Sequence, residues 1–159
     1  MINFDDIQYI SDDDFKKINK RSKVDKNDIL MGMIGTIGNI ALVRQTPLFA
    51  IKNVALIKYI GLVNYVFLYF SLITPFINNQ LSENLDGGTQ KFIALNKIRE
   101  LFVKVPNVLE QDKLSIFFDN LDKLITLHQC ELFCFKIQIN TILRLNALQD
   151  QHLYSLIPE

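Results

Sequence analysis

At 159 residues, 49% of them apolar, the chain is long enough for one packed domain with an appendage and too apolar to be disordered. A formal net charge of zero excludes a polycation that binds nucleic acid along its whole length, so any phosphate contact must come from a local cluster. Two cysteines exclude a disulfide framework, and the acidic start lacks the basic, apolar pattern of a secretory leader; the expectation is reduced thiols in the cytoplasm.

The charges are segregated along the first 26 residues. Asp5, Asp6, Asp12, Asp13 and Asp14 lead, and Lys16, Lys17, Lys20, Arg21, Lys23 and Lys26 follow. Ser11 before three aspartates reads as an N-cap with acids in the first turn, where the helix dipole favours them. The short helix would turn Phe15 and Ile18 inward and its lysines outward. Arg21, Lys23 and Lys26 are candidates for phosphate contact, and an ordinary solvated helix face accounts for them equally well on charge alone. Asp14-Phe15-Lys16 mimics the acid-x-lysine element of nucleases, but it has no partner acid and fits a helix start better.

Gly32, Gly35 and Gly38 stand three apart, which is not a dinucleotide fingerprint, and no Gly-Lys-Ser/Thr ending makes them a phosphate loop. Between Ile29-Leu30 and Ile40-Ala41-Leu42-Val43 they predict a tight turn joining two strands, with Thr36 and Asn39 as polar residues on it. Pro47 interrupts the pattern, and 49–58 reads as a further strand.

Residues 59–82 contain no charge and are long enough to span a membrane. Asn64, Ser71, Thr74 and Asn78 nevertheless form a polar stripe, and Pro75, Asn79 and Gln80 interrupt an isolated span. A helix buried in the domain or against another subunit is the expectation, with no membrane partner. The loop that follows ends in Gly87-Gly88-Thr89-Gln90-Lys91. Glutamine can pair bidentately with adenine in the major groove, and lysine and backbone donors suit phosphates. A left-handed turn with Gln90 bonded locally is the competing reading.

From Val105 to about Leu145 one long helix is expected, with Pro106 just outside it or in its first turn. Phe118, Leu121, Ile125, His128, Leu132, Phe135, Ile139 and Ile142 keep a 3.5-residue period, the mark of a coiled-coil seam. Asn146 would interrupt that seam. His128, Cys130 and Cys134 do not make a metal site, because on a helix His128 points about 200° away from Cys130. The four prolines are isolated, so the Pro-Pro-aromatic signature of adenine methyltransferases is missing. No residues are assigned to catalysis, to a metal or to a cofactor.

Several short pieces occur in a recognisable order. They are Asn27-Asp28-Ile29-Leu30, Gly35-Thr36-Ile37-Gly38-Asn39, Asn53-Val54-Ala55-Leu56, Phe67-Leu68-Tyr69, and Gly87-Gly88-Thr89-Gln90-Lys91-Phe92-Ile93-Ala94-Leu95. Ile98, Leu101 to Pro106, Glu110-Gln111, Phe117-Phe118, Leu121-Asp122 and Leu127-His128-Gln129 complete the series. Over roughly Tyr9 to Gln129 the chain resembles the specificity subunit of type I restriction–modification enzymes. The resemblance implies an α+β, strand-rich target-recognition domain over 1–105, incomplete at its N-terminus, and a spacer helix over 106–159. It also favours the DNA reading of Thr89, Gln90 and Lys91. Implied partners are double-stranded DNA, methyltransferase subunits and, through them, a restriction subunit. The family pattern has about two domains and two helices, so a half-length chain could restore a helix pair by dimerising. Two departures stand out: the first strands of the domain are missing, and Cys130 to Glu159 carries only Lys136 and Arg144 where the family has a lysine-rich helix. The alternative is a truncated remnant that binds methyltransferase or full-length specificity subunits without reading DNA.

Overall fold

The computed structural model describes the backbone of residues 9–154 and the side chains of residues 9–140. Two compact units divide it, Met1–Ile116 and Phe117–Glu159. The fold is α+β: a small antiparallel sheet with short helices, then a long helix.

Helix α1, Asp12–Ser22, starts where the acids predict, with the Ser11 hydroxyl accepting from the Asp14 amide at 3.2 Å. Ser11 also donates to the Asp14 carboxylate at 2.8 Å, so Asp14 belongs to the cap. Phe15 and Ile18 are half-buried. Strands β1 (Ile29–Gly32), β2 (Ile40–Leu42) and β3 (Val54–Ile57) form the sheet in the order β2-β1-β3. Ile29 lies opposite both Leu42 and Ile57, and Gly32 lies opposite Val54. As the centre strand, β1 is covered on both faces, which explains its unbroken Ile-Leu-Met run. Side chains alternate across a strand, so Ile29 and Met31 join one cluster with Ala55, Leu72, Ile77 and Ile93. Leu30 turns to the other face, against Val24 and Val43. The strand expected over 49–58 is confined to 54–57, after Asn53 takes a left-handed φ of 59°.

The charge-free stretch is two helices rather than one: α2, Tyr65–Leu72, and α3, Pro75–Glu83. Its polar residues explain the break. Asn64 caps α2 by accepting from the Val66 and Phe67 amides, Thr74 donates its hydroxyl to the Ser71 carbonyl, and Pro75 occupies the first turn of α3. Among the described residues no helix is long and apolar enough to cross a membrane.

Helix α4, Leu95–Arg99, is a single turn that buries Ile98. Helix α5, Val108–Tyr154, runs 47 residues, with Pro106 before its start and Asn107 accepting from the Glu110 amide at 3.0 Å. Its first turns are fixed within the first unit by Gln111, which is 4% exposed. The Gln111 side chain accepts from the Asn64 amide and donates to the Pro106 carbonyl, both at 2.9 Å. Asn64 in turn donates to Asp112 at 2.9 Å. One buried amide therefore ties the starts of α2 and α5 together.

Candidate nucleic-acid interface

The eight sequence-derived DNA candidates fall into two groups at opposite ends of β1. From Asp28 to Met33 the strand direction separates them by about 16 Å, at about 3.3 Å per residue.

Arg21, Lys23 and Lys26 lie at the start of β1, beside a network built on Asp28. That carboxylate is 1% exposed and is fully satisfied. It accepts from the Asp25 amide and from Lys58 Nζ, both at 2.7 Å, and from the Tyr59 amide at 3.0 Å. Lys58 Nζ also donates to Asp25 at 2.7 Å, and Lys23 pairs with Asp25 at 2.9 Å. The hydrogen bonds from Lys58 and then Lys23 hold the Asp25 carboxyl below its ordinary value. Burial alone would lower the Lys58 ammonium, but its bonds to Asp25 and Asp28 outweigh that and hold it above the ordinary lysine value. Lys23 is thus committed to a carboxylate, while Arg21 and Lys26 are exposed.

At the other end two loops meet. Ile34 and Phe92 form an antiparallel bridge, and the Ile93 amide donates to the Met33 carbonyl at 2.9 Å. The loop 86–92 closes on itself, Asp86 and Phe92 exchanging both backbone hydrogen bonds at 2.9 Å. Gly87 makes that closure possible. It has a φ of 93°, and a Cβ there would sit 2.5 Å from the Gln90 carbonyl oxygen. The result projects Thr89, Gln90 and Lys91 into solvent. The neighbouring turn carries Thr36 and Asn39, also exposed, each directly after a glycine in a left-handed conformation, Gly35 and Gly38. None of these five side chains hydrogen-bonds another described residue, so Gln90 is not held locally.

Sequence reasoning missed three residues at this end. The Met33 amide donates to the Asn53 carbonyl at 3.4 Å, which places Asn53 and Lys52, both exposed, beside the turn. A Cβ on Gly38 would come within 3.7 Å of the Asn78 side-chain oxygen, which brings exposed Asn78 of α3 to the same turn. Only Asn53 offered a signal, as a residue type tolerant of positive φ. The assembled surface is rich in amides and hydroxyls with two lysines, a composition suited to base edges flanked by phosphates.

Of the helix-pairing candidates, Phe118, Leu121, Ile125, Leu132, Phe135 and Ile139 are all exposed, and Ile142 lies outside the residues whose side chains are described. His128 lies 3.9 Å from Glu131, and Cys130 and Cys134 are exposed free thiols. Leu127, Phe133 and Ile137 are exposed as well. At about 100° per residue they fall well outside the seam, so the apolar surface is wider than one stripe.

The sequence model of the family described as "Type I restriction modification DNA specificity domain" matches residues 3–132. The Type I restriction enzyme EcoBI specificity subunit of Escherichia coli is 30% identical, over 65% of this chain and 24% of its own length. The chain therefore spans about a quarter of the curated relative it matches.

Proposed function

The chain belongs to the type I restriction modification DNA specificity family, and from that premise we propose that it reads duplex DNA through the paired loops at the far end of β1. The observation that carries this is the bridge between Ile34 and Phe92, which brings two sequence-distant polar loops onto one exposed surface. Gln90 and Asn39 are the proposed base readers, with Thr36 and Thr89 beside them and Lys91 on the phosphates. Arg21, Lys23 and Lys26 stand apart, and any part they take in DNA binding would be a separate backbone contact. The chain carries out no chemistry itself and holds no cofactor. It directs methyltransferase subunits and, through them, a restriction subunit, all acting in the cytoplasm. The two proposed domains are the globular part, 1–105, and the helix, 106–159.

The helix supplies the assembly surface. Burying each large apolar side chain contributes about 1.5–3 kcal/mol, so a solvent-facing stripe of six, with three more off the stripe, favours association. Partners are methyltransferase subunits and a second copy of this chain, paired antiparallel. Replacing Ile125 and Ile139 with aspartate is expected to abolish that association while leaving the first unit folded. Sedimentation at micromolar concentration checks it, and a monodisperse soluble monomer of the unmodified chain would refute it.

DNA contact is tested on the assembled complex with methyltransferase subunits. Binding of duplexes measured across salt concentrations should weaken on Lys91→Ala, with the salt slope shallower by about one. A complex that assembles but binds DNA no better than methyltransferase alone would leave only the interaction-module reading.

A further inference from the structure

Strand β3 is an edge of the sheet: it pairs with β1, and among the described residues its other side has no strand neighbour. A cavity of about 820 Å³ runs along that side. Every residue from Val54 to Lys58 lines it. A strand that merely floored a cavity would contribute alternate residues, because its side chains alternate between faces. A continuous run means that the cavity follows the strand's hydrogen-bonding edge. The opposite walls come from Leu68 and Leu72 of α2, Ile98 of α4, and Leu101 and Val103. Of its charged lining residues, Lys23 and Lys58 are already paired with Asp25 and Asp28, which leaves Lys20, Arg21 and Arg99 as the basic rim.

We propose that this slot accepts an extended segment of another polypeptide as a fourth strand, one that alternates apolar with acidic residues. The unpaired edge offers backbone donors and acceptors to a strand, the apolar walls accept every second side chain, and the basic rim matches the acids between them. Four residues of β3 give an edge of about 13 Å, enough for a short segment to pair. A nucleic acid is the poorer occupant, because its phosphates would gain nothing from walls of leucine, isoleucine and valine. The proposal is independent of the DNA reading, because Thr36, Asn39, Thr89, Gln90 and Lys91 do not line the slot.

The probe is a synthetic, end-blocked octapeptide alternating valine with glutamate, labelled for fluorescence anisotropy with the full chain. Saturable binding is expected. Methylating the amides of one alternate set should abolish it, and methylating the other set should leave it intact, since a strand presents successive amides to opposite edges. Combined Arg21→Glu and Arg99→Glu changes should weaken the peptide at least tenfold and reverse the preference toward a valine–lysine peptide. If that variant fails to fold, the methylated series on the unmodified chain decides alone. Absence of saturable binding, equal tolerance of both methylated sets, or displacement by a single-stranded oligonucleotide would each overturn the proposal.

Discussion

At the start of β1, Asp25, Asp28, Lys23 and Lys58 are bound to one another and to the backbone, and Asp28, the one deeply buried carboxylate among the described residues, has every partner inside the fold. At its far end, Thr36, Asn39, Thr89, Gln90 and Lys91 sit on loops fixed by backbone bonds, and their side chains point into solvent. Polar residues are abundant at both ends, so composition does not distinguish them. Satisfaction does: a network that completes its own hydrogen bonds stabilises the fold, and a fixed backbone that leaves its side chains uncommitted is what the proposed DNA contact requires.

The difference can be broken most forcefully at Asp28. Asp28→Ala leaves the Asp25 and Tyr59 amides without their acceptor, while Lys58 keeps Asp25 and the Lys23 carbonyl. It is expected to cost about 2–4 kcal/mol in urea unfolding, since each buried donor left without a partner costs about 1–3 kcal/mol. A change below about 1 kcal/mol would mean that this end is not the structural one.

Next in size is Gly87→Ala, which places a methyl group against the Gln90 carbonyl in a left-handed conformation. A loss of about 1–3 kcal/mol is expected, together with weakened DNA binding by the assembled complex. Gly88→Ala is the control: no atom lies within 4 Å of its Cβ, and calorimetry should find it nearly neutral.

A smaller effect follows from the charged network and carries its own signature in pH. Asp25 titrates below 3.8 in the folded chain, so its contribution is present above 3.8 and is lost as pH falls further. Lys58 titrates above 10.5, so its contribution is complete below 10.5 and disappears as pH rises through the folded value. Unfolding midpoints across pH should fall off at both extremes, and Lys58→Met should remove the alkaline share of that decline.

Much of this was legible in local sequence. Ser11 with its acids announced α1, the spaced glycines announced the β1–β2 turn, and the apolar period announced α5. Residues 59–82 read as one helix because absence of charge says where a segment is buried, not where it bends. The bend is written in Asn64, Thr74 and Pro75, which serve as caps and a first-turn residue. Helix α4 is too short for periodicity to register. The candidate residues could be named from the sequence, but not their placement relative to one another. That Lys91 and Asn39 share a surface, and that Lys23 lies at the opposite end, depends on the pairing of Ile34 with Phe92 across 58 positions, and no local pattern encodes it.

The smallest expected effect on stability is the most direct test of the account. Gln90 is exposed and makes no hydrogen bond to a described residue, so Gln90→Ala should leave unfolding unchanged within about 0.5 kcal/mol. The measurement is selection of duplexes from a randomised pool by the complex assembled with methyltransferase subunits, for the unmodified chain and for Gln90→Ala. The account predicts a defined sequence for the unmodified chain and relaxed choice at one or more of its positions for the variant. Recovery of the same sequence by both, or of no enriched sequence by the unmodified complex, would contradict it.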